Sequence, residues 1–385
     1  MIIALDQAIP HWKIAFSGLG EIHPFSGADL KPEDIRDADA LIVRSITPVN
    51  AQLLDRSAVR FIAAASAGID HIDRDYLRKR EISFGYAAGC NANAVSEHVL
   101  TALHIVASRR GWELHNKSLA VIGVGHVGSR VANKAQAAGM QVLLCDPPLR
   151  DQTGDARYRS FEEALEADIL TFHVPLTREG RYPTWRLLNR NVLKRLGPKQ
   201  FLINSSRGAV FDNRELRAAL LEKSIEGAIL DVWENEPKID FSLLELVDIG
   251  TPHLAGTSMD GKIRATEMVR DEFCRFAGMK ASAGMEDLYP KPRLIRIENE
   301  VAAQKAILAA LEQALDIEQD DSNLRALASQ PRESAAEGFE RLRTSHVLRP
   351  EFHHFNIQLK GKDRNLSELL IGMGFKVTNV NDPNL

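Results

Sequence analysis

Cysteine is scarce in this sequence, and its spacing rules out one kind of metal site. The 385 residues contain three cysteines, Cys90, Cys145 and Cys274, which lie far apart and include no C-x-x-C pair. This spacing excludes a cysteine-built metal site and argues against a disulfide framework. Thiols that are not paired in disulfides are typical of a reducing compartment. We therefore expect the protein to work in the cytoplasm.

Long hydrophobic runs and a strong excess of one charge are also missing. No apolar stretch reaches the roughly 20 residues that span a bilayer. The first residues, Met1–Leu5, lack the basic start of a signal peptide and predict a β-strand. A net charge of −4 favours neither nucleic acid nor an anionic membrane as a partner. The length predicts two or three globular domains.

Short apolar runs alternate with amphipathic segments through most of the chain, which predicts parallel strands joined by helices. The predicted strands are Met1–Leu5, Ala40–Val43, Phe61–Ala65, Ser118–Ile122, Gln141–Cys145, Ile169–Phe172, Phe201–Asn204, Ala228–Leu230 and Val247–Ile249. Two long helices are predicted at Asn93–Arg110 and Gly261–Phe276, because apolar residues recur there at helical spacing. The sequence therefore belongs to the α/β class.

A change in composition at Ala281–Arg293, with glycine and two prolines, predicts a domain linker. The elements predicted after it are the helix Glu300–Leu315, the strand Phe355–Leu359, the helix Asn365–Gly372 and the strand Phe375–Val380. These elements are sufficient for a small α+β domain. The acidic stretch Asp316–Asn323 is predicted to be a solvated loop.

Three glycines mark a candidate dinucleotide site. Gly123, Gly125 and Gly128 follow a predicted strand and open a helix. In this pattern the first glycine permits a tight turn, the second lets a pyrophosphate approach, and the third allows close packing of helix on strand. Asp146 ends the next strand, where an acid accepts hydrogen bonds from ribose hydroxyls and repels a 2′-phosphate. The pattern favours NAD over NADP, and a tight turn without a ligand is the alternative.

Chemically useful side chains follow three further strands. Arg207 follows the strand Phe201–Asn204. Asp231 and Glu236 follow the strand Ala228–Leu230, and His253 follows the strand Val247–Ile249. An arginine can hold a carboxylate through two parallel hydrogen bonds, and a histidine beside a carboxylate is an arrangement for general acid–base catalysis. Taken singly, these residues are equally typical of a surface ion pair, solvated acids and a structural histidine.

Two strand ends in the first part of the chain carry small or basic residues. Arg44 and Ser45 follow one strand, and Ser66 begins the segment after another. Small residues at a strand end let an anion approach backbone N–H groups. Ordinary turn formation is the alternative interpretation of both segments.

Four of these segments, in this order and spacing, resemble the D-isomer-specific 2-hydroxyacid dehydrogenases. They are Gly123–Gly128, Asn204–Gly208, Asp231–Pro237 and Thr251–Gly256. The resemblance runs from the first strand to about Phe276. It implies NAD-dependent oxidation of a 2-hydroxy acid without a metal. It also implies two doubly wound Rossmann-like domains around a cleft, to which this chain adds the C-terminal α+β domain.

The resemblance also implies roles for single residues. Arg207 matches the arginine that binds the substrate carboxylate, Glu236 the acid that orients the histidine, and His253 the proton-transfer residue; these three are the predicted catalytic residues. The predicted cofactor contacts are Gly123, Gly125, His126, Val127, Gly128, Asp146, Val174, Ser205, Ser206, Arg207, Asp231 and Gly256. The predicted substrate contacts are Arg44, Ser45, Ser66, Thr257 and Arg349. Thr257 stands where we expect a longer tyrosine.

Within the family, the chain is most similar to a group that acts on a small phosphorylated hydroxy acid and forms a homodimer through a C-terminal extension. Six segments carry this narrower match: Arg44–Ser45, Ala67–His71, Gly89–Ala92, Cys145–Pro148, Asp231–Glu234 and Asp248–His253. It implies a substrate-binding domain at 1–93 and 257–280, an NAD domain at 94–256 and a dimerisation domain at 281–385.

The phosphate needs cations beyond Arg44, because Arg207 is assigned to the carboxylate. The segment Arg341–Arg349 contains three arginines and a histidine. We predict that Arg349 reaches the partner subunit's active site; a solvated helical face is the alternative.

Other functions fit the same motifs. The first is a dehydrogenase for another hydroxy acid, such as phosphoglycerate or glycerate, which would use the same catalytic residues. The second is a dinucleotide-sensing binding protein on the same fold, such as a transcriptional corepressor, although the presence of Arg207, Glu236 and His253 together favours catalysis. The third is a structural protein with a vestigial site. Activity on a panel of substrates would distinguish the first alternative. A turnover assay would distinguish the sensing protein, and a measurement of NAD binding would distinguish the structural protein.

Overall fold

The strands of the protein form three parallel sheets. The computed structural model describes residues 1–27, 29–281, 284–297, 303–360 and 363–379. The strands are β1 (Ile2–Asp6), β2 (Glu21–Phe25), β3 (Ala40–Val43), β4 (Phe61–Ala64), β5 (Ser83–Tyr86), β6 (Ser118–Ile122), β7 (Gln141–Cys145), β8 (Ile169–Phe172), β9 (Phe201–Asn204), β10 (Gly227–Leu230), β11 (Ile249–Gly250), β12 (Arg293–Ile297), β13 (Phe355–Leu359) and β14 (Lys376–Asn379).

Helices connect these strands, as parallel pairing requires. The α-helices are α1 (Trp12–Ala15), α2 (Ala51–Leu54), α3 (Arg74–Lys79), α4 (Ala92–Arg110), α5 (His126–Ala137), α6 (Pro147–Thr153), α7 (Phe161–Ala164), α8 (Arg190–Leu193), α9 (Asn213–Leu221), α10 (Phe241–Leu244), α11 (Met259–Ala277), α12 (Ala303–Ala314), α13 (Ile317–Arg325), α14 (Arg332–Thr344) and α15 (Arg364–Met373). Among the residues described, no helix is long and apolar enough to cross a membrane.

The chain folds into two compact units, and the first comprises Met1–Asn91 and Ser258–Pro290. Its sheet has the order β2-β1-β3-β4-β5. Helix α11 packs on this sheet, and Phe273 contacts Phe61 with ring centroids 5.9 Å apart. Strands β3 and β4 are buried along their whole length, as expected for a parallel sheet covered on both faces.

The second unit comprises Ala92–Thr257 and Lys291–Leu385. Its six-stranded sheet has the order β11-β10-β9-β8-β6-β7. The chain runs from β6 to β7 on one side and then returns to β8 on the other side of β6. Such a reversal creates a crevice at the carboxyl ends of the strands, which is where ligands bind in open α/β sheets.

The C-terminal part of the second unit contains the sheet β12-β13-β14. Its core is continuous with that of helices α4 and α5, because Leu311 and Ile357 belong to the same buried cluster as Leu103 and Val131. The C-terminal α+β domain therefore packs on helices α4 and α5 within one unit.

The predicted fold class is confirmed: two doubly wound parallel sheets and an additional C-terminal domain are present. The domain boundaries at 93, 257 and 280 stay predictions. The predicted element ends Glu300 and Val380 lie outside the described residues. Strand β2 escaped prediction because it contains Pro24 and three exposed residues, so it lacks an apolar run.

The prediction of a solvated loop at Asp316–Asn323 was wrong. Helix α13 occupies this segment, and Asp316 caps it by accepting a hydrogen bond from the Gln319 N–H at 3.0 Å. Ile317 and Leu324 are fully buried and fix the helix to the core. Asp320 and Asp321 are buried as well, because each finds a partner that is distant in sequence.

A buried histidine in helix α4 predicts how stability depends on pH. His104 is 5% exposed, and neither ring nitrogen has a hydrogen-bond partner within the described residues. Burial lowers the pKa of His104 to about 4, whereas in an unfolded chain it is about 6.5. The unfolded state therefore takes up the proton first as the pH falls. The free energy of unfolding should decrease by about 3 kcal/mol between pH 7 and pH 4 through this residue.

Replacing His104 with leucine should remove this part of the acid sensitivity. Urea unfolding at pH 7.5 and pH 5 measures the effect, with the exposed His115→Gln as control. Equal pH dependence of the His104→Leu variant and the wild type would contradict the assignment.

Candidate active site

The glycine loop between β6 and α5 has the geometry of a dinucleotide site. Gly123 adopts a left-handed φ of 87°, which glycine tolerates best. A Cβ on Gly128 would lie 1.9 Å from the Gly123 carbonyl oxygen, so this position must stay bare for helix and loop to pack. A Cβ on Gly125 would meet nothing within 4 Å. The second glycine therefore faces open space at the positive end of α5, as a pyrophosphate requires.

Asp146 is at the end of β7 and ties the glycine loop to the next helix. One carboxylate oxygen accepts a hydrogen bond from the Val124 N–H at 2.8 Å, and the other caps α6 at the Leu149 N–H at 3.0 Å. Val174 follows β8 and packs against the same loop. A Cβ added to Gly123 would lie 2.7 Å from Val174 Cγ1. Both predicted cofactor contacts therefore lie at the carboxyl edge of the sheet.

Arg207 lies in a tight loop after β9. Its Nη1 donates to the Ser206 carbonyl oxygen at 2.8 Å, and Asn204 Nδ2 donates to the Arg207 carbonyl oxygen at 3.0 Å. Gly208 packs directly against the neighbouring loop, since a Cβ there would lie 1.9 Å from the Trp233 carbonyl oxygen. The backbone that carries Arg207 is therefore in contact with the loop that carries Glu236.

Asp231 is a buried anchor at the end of β10. It is 2% exposed, and its carboxylate accepts hydrogen bonds from Thr251 Oγ1 at 2.7 Å, the Leu254 N–H at 2.7 Å and the Ala255 N–H at 3.1 Å. The loop that follows β11 therefore folds around one carboxylate. A direct contact of Asp231 with the cofactor stays a prediction.

His253 and Glu236 meet across these loops. His253 Nδ1 lies 2.8 Å from Glu236 Oε2, and the Trp233 N–H donates to Glu236 Oε1 at 2.8 Å. Burial alone would raise the pKa of Glu236, but the hydrogen bond and charge of His253 and the Trp233 N–H outweigh it and lower that pKa. Glu236 is therefore a carboxylate at neutral pH, and a carboxylate can only accept.

The backbone of His253 is held as firmly as its ring. His253 has a left-handed φ of 57°, and its N–H donates to the Asp231 carbonyl oxygen at 2.7 Å. Gly256 and Thr257 complete the same loop, in which the Thr257 N–H donates to the Leu254 carbonyl oxygen at 2.8 Å. The predicted substrate contact of Thr257 stays a prediction.

Arg349 is bound within its own chain. Its Nη1 lies 2.6 Å from Glu97 Oε2, and the two side chains are 10% and 3% exposed. Its Nη2 donates to the Ala94 carbonyl oxygen at 3.2 Å. The guanidinium is therefore held against α4, and its contact with a phosphate in a partner subunit stays a prediction. Arg349 anchors the C-terminal domain.

The predicted substrate residues of the first unit lie at the carboxyl ends of β3 and β4. Arg44 Nε forms an ion pair with the fully buried Asp6 at 2.8 Å, and Ser45 is exposed. Ser66 Oγ donates to the Gly68 carbonyl oxygen at 2.8 Å. Their substrate contacts stay predictions.

Comparison with known proteins identifies the family. Residues 93–255 match the model described as "D-isomer specific 2-hydroxyacid dehydrogenase, NAD binding domain". The erythronate-4-phosphate dehydrogenase of Marinobacter nauticus is 38% identical over 98% of this chain and 100% of its own length. That of Proteus mirabilis is 39% identical, also over 98% of this chain and 100% of its own length. The chain belongs to the D-isomer specific 2-hydroxyacid dehydrogenase family.

Solved structures agree with this assignment. D-Lactate dehydrogenase from Aquifex aeolicus, determined with NAD and lactic acid, is 26% identical with a TM-score of 0.59 and covers 72% of this chain and 96% of its own. The TT0316 protein from Thermus thermophilus is also 26% identical, with a TM-score of 0.62 over 73% of this chain and 98% of its own. The protein is an NAD-dependent dehydrogenase, and the open space at Gly125 suits that cofactor.

Three side chains near the predicted site residues were not predicted from the sequence. His173 follows β8 and contacts Ser205 Oγ at 3.3 Å, and burial lowers its pKa to about 3, so its ring is neutral. His98 on α4 lies 3.2 Å from Thr251 Oγ1. Lys262 on α11 is close enough to Arg44 for the two charges to interact. Only His173 had a sequence signal, since it directly follows a strand.

The glycine loop predicts opposite effects for two single-methyl substitutions. Gly125→Ala should leave thermal stability unchanged but weaken NADH binding about tenfold, or about 1.4 kcal/mol, because the methyl group enters the space that the pyrophosphate approaches. Gly128→Ala should destabilise the fold by about 1–3 kcal/mol through overpacking. Thermal unfolding and NADH fluorescence titration measure both effects.

The matched control is Gly197→Ala, where a Cβ also meets nothing within 4 Å but no site residue is adjacent. The interpretation fails if Gly125→Ala binds NADH as tightly as the control variant does.

Proposed function

We propose that the dehydrogenase oxidises 4-phospho-D-erythronate at its C2 hydroxyl to 2-oxo-3-hydroxy-4-phosphobutanoate, a step of pyridoxal 5′-phosphate biosynthesis. The observation that carries this proposal is the 2.8 Å contact between His253 and Glu236, at the same sheet edge as Arg207 and the glycine loop. Full-length relatives named erythronate-4-phosphate dehydrogenase support the choice of substrate.

His253 acts as the base in this reaction. Because Glu236 is ionised and accepts, the Nδ1 of a neutral His253 carries the proton and Nε2 keeps its lone pair. Nε2 then takes the proton of the C2 hydroxyl, and Glu236 stabilises the imidazolium that forms. Bound NAD supplies the hydride acceptor.

Arg207 orients the substrate. Its guanidinium holds the carboxylate through parallel hydrogen bonds, which directs C2 toward the cofactor site. Ser205 and Ser206, in the same loop, line the site. A lysine at position 207 would supply charge without the planar fork and should bind the carboxylate more weakly.

The phosphate is received by cations of the first unit. Partial burial and then the charge of Arg44 lower the pKa of Lys262, so the two cations repel each other although Asp6 pairs with Arg44 at 2.8 Å. A phosphate would relieve this repulsion. Ser45 and Ser66 add hydroxyl groups at the same strand ends. Lys262 therefore joins Arg44 and the predicted Arg349 as a cation for the phosphate.

The protein acts as a cytoplasmic homodimer that assembles through its C-terminal domain. Its three cysteines are buried thiols, which suits a reducing compartment. A truncated chain is not a clean test of this assembly. Removal of residues beyond Ala281 would expose the apolar faces of α4 and α5, because Ile307 and Leu370 belong to their core. The oligomeric state is therefore best measured on the full chain, by sedimentation.

A dehydrogenase for phosphoglycerate or glycerate is not favoured, because relatives that match over their full length are named for erythronate 4-phosphate. Reduction of NAD and of NADP should be measured with 4-phosphoerythronate, 3-phosphoglycerate and glycerate. We expect the highest kcat/KM with 4-phosphoerythronate and NAD. Faster turnover of another acid would refute the substrate assignment, and no turnover of any acid would favour a sensing role.

Substitutions at the histidine pair should affect the chemical step. We expect His253→Ala to lower kcat by about two to four orders of magnitude. Glu236→Gln should lower kcat with little change in NADH affinity, because the imidazolium loses its anionic partner. Because the pKa of Glu236 is lowered, Glu236 stays ionised and should not itself change the rate between pH 6 and 9.

The matched control is Glu234→Gln, two residues from Glu236. Glu234 accepts a hydrogen bond from the Asn213 N–H at 3.1 Å and lies 3.4 Å from Arg186. The Glu234→Gln variant should retain normal kcat. A His253→Ala enzyme with near-normal turnover would eliminate the mechanism.

A further inference from the structure

Strand β11 leads into the catalytic loop and lies at the edge of its sheet. It pairs with β10 on one side, and the next residue, Thr251, donates its N–H to the Leu230 carbonyl oxygen at 2.9 Å. Since alternate N–H groups of a strand point to opposite sides, the Gly250 N–H points away from β10. Asp321 Oδ1 accepts this N–H at 2.7 Å in a buried environment. A side chain of helix α13 thus replaces the missing neighbouring strand.

Asp321 is itself held in place by a second contact. Arg325 Nε lies 2.8 Å from Asp321 Oδ2. The same guanidinium donates to the carbonyl oxygens of Leu244 at 2.6 Å and Val247 at 3.0 Å. Asp321 and Arg325 therefore fix the backbone on both sides of the short connection from α10 to β11.

The fixed backbone is continuous with the catalytic pair. Thr251 directly follows Gly250 and bonds Asp231 through its hydroxyl, while its carbonyl oxygen accepts Trp233 Nε1–H at 3.0 Å. Trp233 in turn donates its backbone N–H to Glu236 at 2.8 Å. A shift of Gly250 would therefore move His253 and Glu236 relative to each other.

The space around Gly250 is filled on its Cα side. A Cβ there would lie 2.3 Å from Leu244 and 2.9 Å from the Trp233 ring. Strand β11 therefore cannot move toward Leu244 and Trp233. Asp321 holds it on the side to which the Gly250 N–H points. Buried N–H groups without an acceptor are costly, which makes this carboxylate the determinant of where β11 ends.

We propose that Asp321 is a positioning residue for His253, and that the C-terminal domain supports the active site of its own subunit through helix α13. Asp321 lies on α13, outside the loop that carries His253. It acts through the Gly250 N–H, which holds the start of the loop 251–255. The activity readout rests on the proposed function, whereas hydrogen exchange of the loop does not.

The test compares three variants in the full-length enzyme. Asp321→Asn keeps an acceptor oxygen for Gly250 and should hold kcat within about threefold of the wild type. Asp321→Leu fills the site but offers no acceptor, and should lower kcat about ten- to hundredfold, as displacement of a catalytic group does. The NADH dissociation constant should be unchanged in both, because Asp321 is bonded to Gly250 and Arg325 and not to the glycine loop within the described residues. Glu318→Gln, an exposed ion-pair change on the same helix, is the matched control.

The outcomes separate a positioning role from a purely structural one. A fall in kcat for Asp321→Leu at constant NADH affinity, with rescue by asparagine, supports the proposal. Normal kcat in Asp321→Leu, or equal loss in both variants, overturns it. If Asp321→Leu does not fold, Asp321→Glu decides, because it keeps the charge but displaces the acceptor. Its kcat should fall below that of Asp321→Asn, and the reverse order overturns the proposal.

A wild type that does not oxidise 4-phosphoerythronate would refute the proposed function alone. In that case deuterium exchange of peptides covering residues 249–255 still tests the positioning role. Exchange should be faster in Asp321→Leu than in the wild type and Glu318→Gln, and unchanged exchange would overturn the proposal.

Discussion

The buried carboxylate of Asp231 is the constraint on which the catalytic site depends. Three donors of one loop converge on it, from Thr251, Leu254 and Ala255. Because a buried carboxylate must have its acceptor positions filled, the loop has to wrap around it, and His253 is carried into a left-handed backbone conformation. The imidazole then meets Glu236. Loss of this one anchor would leave three buried donors without an acceptor and a loop without a defined shape.

The C-terminal domain also contacts the elements that carry the catalytic site. Arg349 is buried against Glu97 of α4, and α13 reaches the edge strand through Asp321. The glycine helix α5 is joined as well, since Lys134 Nζ donates to the Met373 carbonyl oxygen. A domain without catalytic residues of its own therefore contacts both the helix that carries the cofactor loop and the strand that leads to His253.

Sequence patterns predicted the features whose signals are local. Buried strands such as β3 are apolar runs, and the roles of Gly123 and Gly128 follow from the turn and packing that their spacing requires. Features that depend on pairing across the fold escaped prediction. The buried acids of α13 resemble a solvated run, and Arg349 resembles a surface cation until Glu97, distant in sequence, is placed beside it. Charge patterns alone do not reveal such partners.

The protonation state of the His253 ring is the central claim, because the assignment of Nε2 as base depends on it. Nitrogen-15 NMR of histidine-labelled enzyme measures it directly, with His253→Gln used to assign the resonance. At a pH where the ring is neutral, we expect a protonated Nδ1, bonded to Glu236, and an unprotonated Nε2. A spectrum with the proton on Nε2 would contradict it.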